Sequence, residues 1–212
     1  MRIRNLLTGF LLLTFFCSCS NQSEHKVPKD YPKIPNSIQI IYTSGIPYKT
    51  LSDIKPEEID SYSGATPTDM NVEMISQRLF TELKDKKYTV KIVRASEIES
   101  YQEILQYDML IIGTPTYFWN MHWEIKKMMD IQFGKIYIAK RDEFKKMKHI
   151  VFAMSEYDKC AESANRQMKS AITDCSAKLD TSFVFIVKQT MPEYEKQVSE
   201  LAGVTDNLMK AH

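Results

Sequence analysis

The sequence predicts an α/β domain of three layers, in which a doubly wound, five-stranded parallel sheet lies between two layers of helices. Two observations favour this class. Five short apolar runs are spaced along the chain, and a longer segment with helical periodicity follows each of them. Such alternation is typical of parallel strands joined by crossover helices. The predicted strands are residues 37–43, 88–94, 109–112, 149–154 and 181–187.

Length and composition set the limits for this domain. The chain has 212 residues, of which 43% are hydrophobic and 26% are charged, as in ordinary globular proteins. The formal net charge is +1, so nothing in the charge balance indicates a nucleic-acid partner. The sequence leaves the oligomeric state open, a homo-oligomer included.

The N-terminus has the pattern of a targeting segment. Arg2 and Arg4 precede an apolar stretch at residues 6–16, which is too short to span a bilayer. Ser18 followed by Cys19 resembles a bacterial lipobox, which implies cleavage before Cys19 and lipidation of that cysteine. The alternative is an ordinary secretory signal that is cleaved nearby. A lipidated chain would be an extracytoplasmic, membrane-anchored protein.

The segments that follow from this pattern are a signal peptide at 1–18, a tether at 19–36 and the α/β domain at 37–212. The tether is polar and contains three spaced prolines, at positions 28, 32 and 35. Ser44 follows the first predicted strand, and the first helix is predicted at 71–85. The connection between them, about 46–65, is unusually long for a compact domain, and such connections are functional or disordered.

The third strand leads into the most informative stretch of the chain. Gly113 and Pro115 are predicted to break the strand after residue 112. Residues 116–120 then form a loop that is dense in aromatic side chains, and a helix is predicted from Met121 onward. In open parallel sheets, ligands bind at the carboxyl ends of the strands. The aromatic loop is therefore the first candidate for a binding site.

The stretch Gly-Thr-Pro-Thr-Tyr-Phe-Trp-Asn-Met, residues 113–121, resembles the isoalloxazine-binding loop of the flavodoxin-like superfamily. The likeness is greatest to the branch of FMN reductases and NAD(P)H:quinone oxidoreductases. That branch usually has glycine where this chain has Trp119, whose ring would either stack on a flavin or obstruct it. The resemblance implies the strand order 2-1-3-4-5 and FMN as cofactor. The alternative is an aromatic loop that only covers the sheet edge.

The resemblance implies three groups of FMN-binding residues. The phosphate would be held by Ser44, Thr66, Thr68 and Asn71, although the last three are also common helix caps. The isoalloxazine would be lined by Thr114, Pro115, Thr116, Tyr117, Phe118, Trp119 and Asn120. Ser155 and Tyr157 would close the far side, in a loop that lacks the glycines of the related branch.

The remaining reactive side chains are predicted to be structural. Cys160 and Cys175 lie on one predicted helix, 160–179, where fifteen residues separate them by about 22 Å. A disulfide needs Cα atoms about 4.4–6.8 Å apart, so none is predicted. Cys175 is predicted in the core and Cys160 near the surface, where a redox role stays open. His122 is predicted to be structural, with donation to a flavin or substrate carbonyl as the alternative.

Two further expectations concern the chemistry and a basic segment. No metal site and no catalytic side chain are predicted, because the four histidines are isolated in the sequence. The segment 133–148 is rich in Lys and Arg without a clear period. It is predicted to be a solvated face, with contact to lipid headgroups or a substrate phosphate as alternatives.

The function that the resemblance implies is FMN-dependent oxidoreduction, in which NAD(P)H or another donor reduces the flavin and a quinone-like acceptor reoxidises it. Two alternatives remain. One is a non-catalytic lipoprotein of this fold with a degenerate flavin pocket, and the other is an electron carrier to a membrane partner. Flavodoxins that only carry electrons are usually strongly acidic. Removal of residues 1–18 would leave 26 basic and 27 acidic residues, which disfavours the carrier.

Overall fold

The computed structural model describes residues 31–43, 67–117, 119–187 and 189–211, without the side chains of 67–71 and 191. The predicted signal peptide, Cys19 and the long connection at 46–65 lie outside the described residues. Among the helices that are described, none is both long enough and apolar enough to cross a membrane.

The sheet has the predicted architecture. Its strands are β1 (Ser37–Tyr42), β2 (Thr89–Arg94), β3 (Met109–Tyr117), β4 (Asn120–Met121), β5 (Lys148–Ser155) and β6 (Thr181–Ile186). The order is β2-β1-β3-β5-β6, with every pair on this path parallel, and the short β4 pairs antiparallel with β3. The predicted fold class, strand order and edge position of the second strand are confirmed. The additional strand β4 was not predicted.

Seven helices surround this sheet in the described part of the chain: α1 (Pro67–Asp85), α2 (Tyr101–Leu105), α3 (Trp123–Met128), α4 (Gly134–Ala139), α5 (Arg141–Lys146), α6 (Asp158–Asp174) and α7 (Met191–Lys210). A 3-10 turn covers Ala95–Glu97, and a π-helical turn covers Met129–Phe133. The segment without a clear period is therefore helical, in two short pieces. The predicted helix 160–179 ends earlier, because Ser176 adopts a left-handed φ of 62°.

Alternate strand residues supply two apolar cores, one on each face of the sheet. The first core packs β-strand residues against α1 and α7, and its members include Ile38, Ile40, Ile111, Phe152, Leu79 and Leu201. The second packs against α3, α5 and α6, and its members include Ile41, Leu110, Ile112, Val151, Phe144 and Ile172. Full burial of each such side chain contributes about 1.5–3 kcal/mol. These two layers fix the positions of the strand ends.

The third strand does not break where the sequence indicated, so that prediction was wrong. β3 continues through Gly113 and Pro115 to Tyr117. A Cβ atom at Gly113 would lie 2.1 Å from the Phe152 ring, so glycine serves here to admit that ring rather than to turn the chain. Pro115 shares the β1 side of the strand with Gly113, and β1 has already ended at Tyr42. Its missing N–H therefore costs the sheet no bond to β1.

A buried ion pair fixes α1 beneath the carboxyl ends of β1 and β2. The Arg94 guanidinium donates to Glu73 Oε2 at 3.4 Å, and both side chains are almost fully buried. The guanidinium also lies 5.9 Å from the centre of the Tyr42 ring. Burial, reinforced by the Glu73 charge, raises the pKa of Tyr42 above its usual value. This cluster keeps the N-terminal half of α1 close to the strand ends.

Candidate functional site

The aromatic stretch forms a β-hairpin at the carboxyl edge of the sheet, rather than the loop predicted at 116–120. Thr116 pairs with Met121, and Tyr117 pairs with Asn120. Residues 118 and 119 connect the two strands, although Phe118 itself lies outside the described residues. Because β4 takes residues 120 and 121, α3 begins at Trp123 rather than at Met121.

Trp119 occupies the turn with a backbone φ of 70°. This left-handed conformation costs a side-chain-bearing residue about 1–2 kcal/mol but costs glycine little. It is also the position at which the resembled branch usually has glycine. The turn thus keeps a glycine-type backbone while it carries an indole, and the Trp119 side chain is 54% exposed.

Gln167 of α6 holds this hairpin from one side. Its Nε2 donates to the Trp119 carbonyl at 3.2 Å and to Asn120 Oδ1 at 3.1 Å. Its Oε1 accepts from the Met121 N–H at 3.3 Å. Gln167 was not among the site residues predicted from the sequence. In the sequence, Gln167 is one of two amide side chains, with Asn165, beside the apolar helix face that Ala164 and Met168 form.

A buried polar cluster holds the hairpin from the other side. The hydroxyl of Thr43, directly after β1, donates to Glu124 Oε2 at 2.5 Å. His122 Nδ1 accepts from the Glu124 N–H at 3.2 Å and lies 3.2 Å from Thr43 Oγ1. The backbone N–H of His122 donates to Thr114 Oγ1 at 3.0 Å. The cluster ties the end of β1, the end of β3 and the start of α3 together.

His122 therefore has the structural role that was predicted. Its ring is the N-cap of α3, since Nδ1 accepts the Glu124 N–H. An accepting Nδ1 leaves the proton of a neutral imidazole on Nε2. Thr114 is also fully buried, and its hydroxyl serves this cluster and the Pro115 carbonyl. Its role here is to anchor the hairpin from below.

The exit of β5 lies beside the hairpin, because Pro115 of β3 pairs with Met154 of β5. The Ser155 hydroxyl accepts from the Tyr157 N–H at 3.3 Å, and α6 begins at Asp158. No residue from 155 to 158 has a positive φ, so this turn does not require glycine. Three aromatic side chains near these strand ends are exposed: Trp119, Trp123 and Tyr157, at 54%, 60% and 62%.

The structure brings one part of the predicted site together. Pro115, Thr116, Tyr117, Trp119, Asn120, Ser155 and Tyr157 all follow or end the adjacent strands β3 and β5. Pro115 and Ser155 are buried, whereas Thr116 and Tyr117 are partly exposed. Among the predicted phosphate-binding residues, Ser44 and Thr66 lie outside the described residues, as do the side chains of Thr68 and Asn71. The α1 N-terminus, a favourable position for an anion, lies at the same edge of the sheet.

A small open cavity adjoins the polar cluster between the 3-10 turn and α3. Its volume is about 110 Å³, and its lining includes Ser96, Trp123, Glu124, Lys127 and Gln132. Lys127 Nζ lies 5.8 Å from the centre of the Trp123 ring. The cavity thus combines an exposed aromatic ring with a cationic amine.

Both cysteines of the described chain are free and buried. Cys175 is a member of the second core, as predicted, and its thiol donates to the Phe133 carbonyl at 3.4 Å. Burial raises the pKa of Cys175 to about 11. Cys160 was predicted near the surface, and that prediction was wrong, because its side chain is buried in the first turn of α6. Within the described ranges, no three His, Cys, Asp or Glu side chains are grouped as a metal site would need.

Comparison of sequences finds no matching family model and no matching curated protein. Comparison of structures finds clear likenesses. The rubredoxin oxygen:oxidoreductase of Desulfovibrio gigas aligns at a TM-score of 0.57 with 14% identity over 84% of this chain, which spans 37% of that protein. A flavodoxin from the Archaea aligns at 0.56 with 10% identity, over 82% of this chain and 99% of that one.

A protein described as a flavone reductase aligns at a TM-score of 0.56 with 11% identity, over 82% of this chain and 62% of that one. At these identities the comparisons establish the fold. The chain has a flavodoxin-like fold, as the stretch at 113–121 had indicated.

Proposed function

We propose that this protein binds FMN at the carboxyl edge of its sheet and acts as an oxidoreductase. The observation that carries the proposal is the hairpin of residues 116–121, which presents aromatic side chains beside the β5 exit and is held from both sides. Flavodoxin-like proteins of known structure include ones named as oxidoreductase, flavodoxin and reductase, which supports a redox role for this edge.

The residues at this edge suit a flat, partly polar ligand. Tyr117 and Trp119 offer ring surface, and Thr116 is a partly exposed polar side chain close to the turn. Ser155 and Tyr157 would border the opposite side. The N-terminus of α1, with Ser44, Thr66, Thr68 and Asn71, would receive the phosphate. When bound, FMN supplies the redox chemistry, and the protein positions it and limits access of water.

NAD(P)H or another donor would reduce the flavin, and a quinone-like molecule would accept the electrons. The near-neutral charge of the chain without residues 1–18 supports an enzyme over a carrier that docks by acidic charge. No side chain of this edge needs to move a proton for hydride transfer. The clamps at Gln167 and Thr43 would keep the ring-binding hairpin in place between donor and acceptor.

One alternative has specific support. The turn after β5 is short and glycine-free, and Trp119 is bulky where the resembled branch has glycine. Both features suit a protein of this fold whose flavin pocket is degenerate and whose aromatic hairpin contacts a partner. Flavin binding separates this alternative from the enzyme.

The test is an absorption titration of the chain from residue 20 onward. Purified protein is examined in the visible range before and after FMN addition, then mixed with NADH or NADPH and a soluble quinone. The proposal predicts shifted flavin bands and donor-dependent quinone reduction. Flavin binding with reduction only by partner proteins would favour the carrier. Protein that takes up no FMN would contradict the proposal and favour the degenerate pocket.

We further propose that the mature protein is a lipoprotein anchored through Cys19 on the extracytoplasmic side of a bacterial membrane. The motif at 16–19 and the polar, proline-containing segment after it support this. Expression of the full chain in a bacterial host, with C19A for comparison, tests it. The proposal predicts that the protein fractionates with membranes and that the C19A variant does not. Equal fractionation of both would contradict lipidation at this residue.

A further inference from the structure

A basic surface, which we call the basic edge, lies at the end of the sheet opposite the hairpin. It consists of the exposed or partly exposed residues Lys135, Lys140, Arg141, Lys145, Lys146 and Lys148 of α4, α5 and the start of β5. Residues 134–148 contain two acidic side chains, Asp142 and Glu143, so the segment has a net charge of +4 while the whole chain has +1. Within this segment Lys140 pairs with Glu143 at 2.6 Å, and the remaining basic side chains give it more net positive charge than the chain as a whole.

Two apolar side chains project from the same segment. Ile138 is 85% exposed and Tyr137 is 50% exposed on α4. The Arg141 guanidinium lies 5.0 Å from the centre of the Tyr137 ring. A cationic group next to exposed apolar side chains is the combination that membrane-surface segments use, with the apolar groups entering the headgroup region.

The described chain begins at this same edge. Ile34 N–H donates to the Gln106 carbonyl at 2.8 Å, and Lys33 Nζ lies 3.4 Å from Asp108 Oδ1. The Lys148 N–H donates to the Asp108 carbonyl at 2.9 Å. Asp108 therefore links the start of the domain to the basic edge.

The position of a lipid at Cys19 follows from this link. Eleven residues, 20–30, separate Cys19 from Tyr31. In any conformation they span at most about 40 Å. A lipid on Cys19 would keep the start of the domain, and with it the basic edge, within reach of the bilayer surface.

The opposite edge carries acidic side chains. Glu156 and Asp158 follow β5, and Glu193 and Glu195 lie in the first turns of α7. All four are exposed. Lys126, Lys127 and Lys159 are exposed near this edge and Glu195 pairs with Arg78, so anionic lipid would attract the basic edge more strongly than this one.

We propose that the basic edge docks on an anionic lipid surface, so that the domain lies on the membrane with the hairpin edge directed into water. This orientation rests on the anchoring and the flavin site proposed above. It implies that the electron acceptor reaches the hairpin from the aqueous side, as a dissolved quinone-like molecule, and not from within the bilayer.

The experiment measures vesicle binding of the unlipidated chain from residue 20 onward. Vesicles are made of phosphatidylcholine alone or with phosphatidylglycerol added, and bound protein is separated by flotation. The charge-reversal variant K145E/K146E is compared with K159E/K169E, which changes the net charge equally at exposed positions of α6. I138D tests the apolar contact, and FMN binding is measured for every variant.

We expect binding only to the phosphatidylglycerol vesicles, with loss of binding at high salt. Each basic residue near such a surface contributes about five-fold to partitioning, so K145E/K146E should bind at least about 25-fold more weakly. K159E/K169E should bind like the parent chain, and I138D should bind more weakly. The parent chain and all variants should bind FMN alike. FMN binding is measured apart from vesicle flotation, so a failure of the flavin proposal can be told apart from a failure of membrane docking.

Three results would overturn the proposal. The first is equal binding to both kinds of vesicle, or to neither. The second is an equal loss of binding in the two charge-reversal variants, which would indicate a general charge effect. The third is a dimer of the parent chain that I138D converts to a monomer, because a second copy would then cover the exposed apolar side chains.

Discussion

Trp119 has a backbone conformation that favours glycine, although its side chain is a large indole. Its φ of 70° is a glycine conformation, yet the residue is tryptophan. The conformational cost of about 1–2 kcal/mol persists only because the surrounding bonds determine the turn. Strain at a ligand-binding turn is common where the side chain serves binding. Under the proposed function, the indole provides ring surface for the flavin that a glycine could not provide.

The first prediction concerns this strain. W119G should unfold with a free energy about 1 kcal/mol higher than that of W119A, because only the glycine variant relieves the left-handed backbone. Urea denaturation of both variants measures the difference. Alanine equal to or more stable than glycine would show that the turn does not hold this conformation in solution.

Gly113 provides the second residue-scale prediction. G113A should lower the free energy of unfolding by about 1–3 kcal/mol, because the new methyl group would overlap the Phe152 ring. G134A is the matched control, since a Cβ at that helical position meets no atom within 4 Å. The control should be neutral or up to about 1 kcal/mol more stable. Similar stabilities of both variants would contradict the close packing of β3 on β5.

At the scale of elements, the hairpin is held by two independent sets of bonds. Gln167 reaches it from α6, and the Thr43–Glu124–His122 cluster reaches its base from β1 and α3. The apolar cores lie beneath both. A ligand that binds this hairpin therefore meets an ordered surface and does not bear the entropic cost of ordering it.

The third prediction removes one of these clamps. Q167A should weaken FMN binding by about ten-fold through the cost of ordering the hairpin, and should lower the free energy of unfolding by only about 1 kcal/mol. Isothermal titration and urea denaturation give the two values. R166A, on the exposed side of the same helix, should leave both nearly unchanged. Equal FMN affinity of Q167A and the parent chain would remove Gln167 from the site.

Strand positions were predictable from the sequence because the apolar runs of β1, β3 and β5 are long and buried on both faces. The continuation of β3 was not predictable. Glycine and proline usually indicate the end of a strand, and only the neighbouring strands show that this one continues. Gly113 depends on Phe152, and Pro115 depends on where β1 ends. The hairpin pairing of Tyr117 with Asn120 likewise depends on Gln167, which is distant in sequence.

At the scale of the whole molecule, His149 makes the free energy of unfolding depend on pH. Burial beside Phe144, partly opposed by the nearby Asp180 carboxylate, lowers the pKa of His149 to about 4. The value in an unfolded chain is about 6.5. Between these values the unfolded chain binds a proton that the folded chain excludes, so stability falls as the pH decreases from about 6.5 to about 4.

The fourth prediction follows from this loss of stability at lower pH. Over this pH range the parent chain should lose up to about 3 kcal/mol of unfolding free energy from His149 alone. H149L should show a correspondingly smaller loss, whatever its stability at neutral pH. Urea denaturation at a series of pH values provides the comparison. Parallel pH profiles for the two proteins would show that His149 is not buried in its neutral form.

The sequence predicted correctly that Pro115, Trp119, Ser155 and Tyr157 lie at one edge of the sheet, because the ends of adjacent parallel strands meet there. Their contact with a flavin stays a prediction. It placed Thr114 among the ligand-contacting residues, whereas the structure uses its hydroxyl to bind the His122 N–H. Periodicity cannot distinguish these roles, since the direction of a buried hydroxyl depends on the element opposite. All cofactor contacts stay predictions, and Ser44, Thr66, Phe118 and the side chains of Thr68 and Asn71 also lie outside the described part of the chain.

Binding of FMN at the hairpin is measured most directly with the two tryptophans of the chain. W123F leaves Trp119 as the reporter at the hairpin turn, and W119F leaves Trp123 on α3. FMN is titrated into each variant while tryptophan fluorescence is recorded. A flavin bound at the hairpin predicts saturable quenching that is stronger for Trp119 than for Trp123. Quenching that does not saturate, or equal weak quenching of both, would contradict flavin binding at this site.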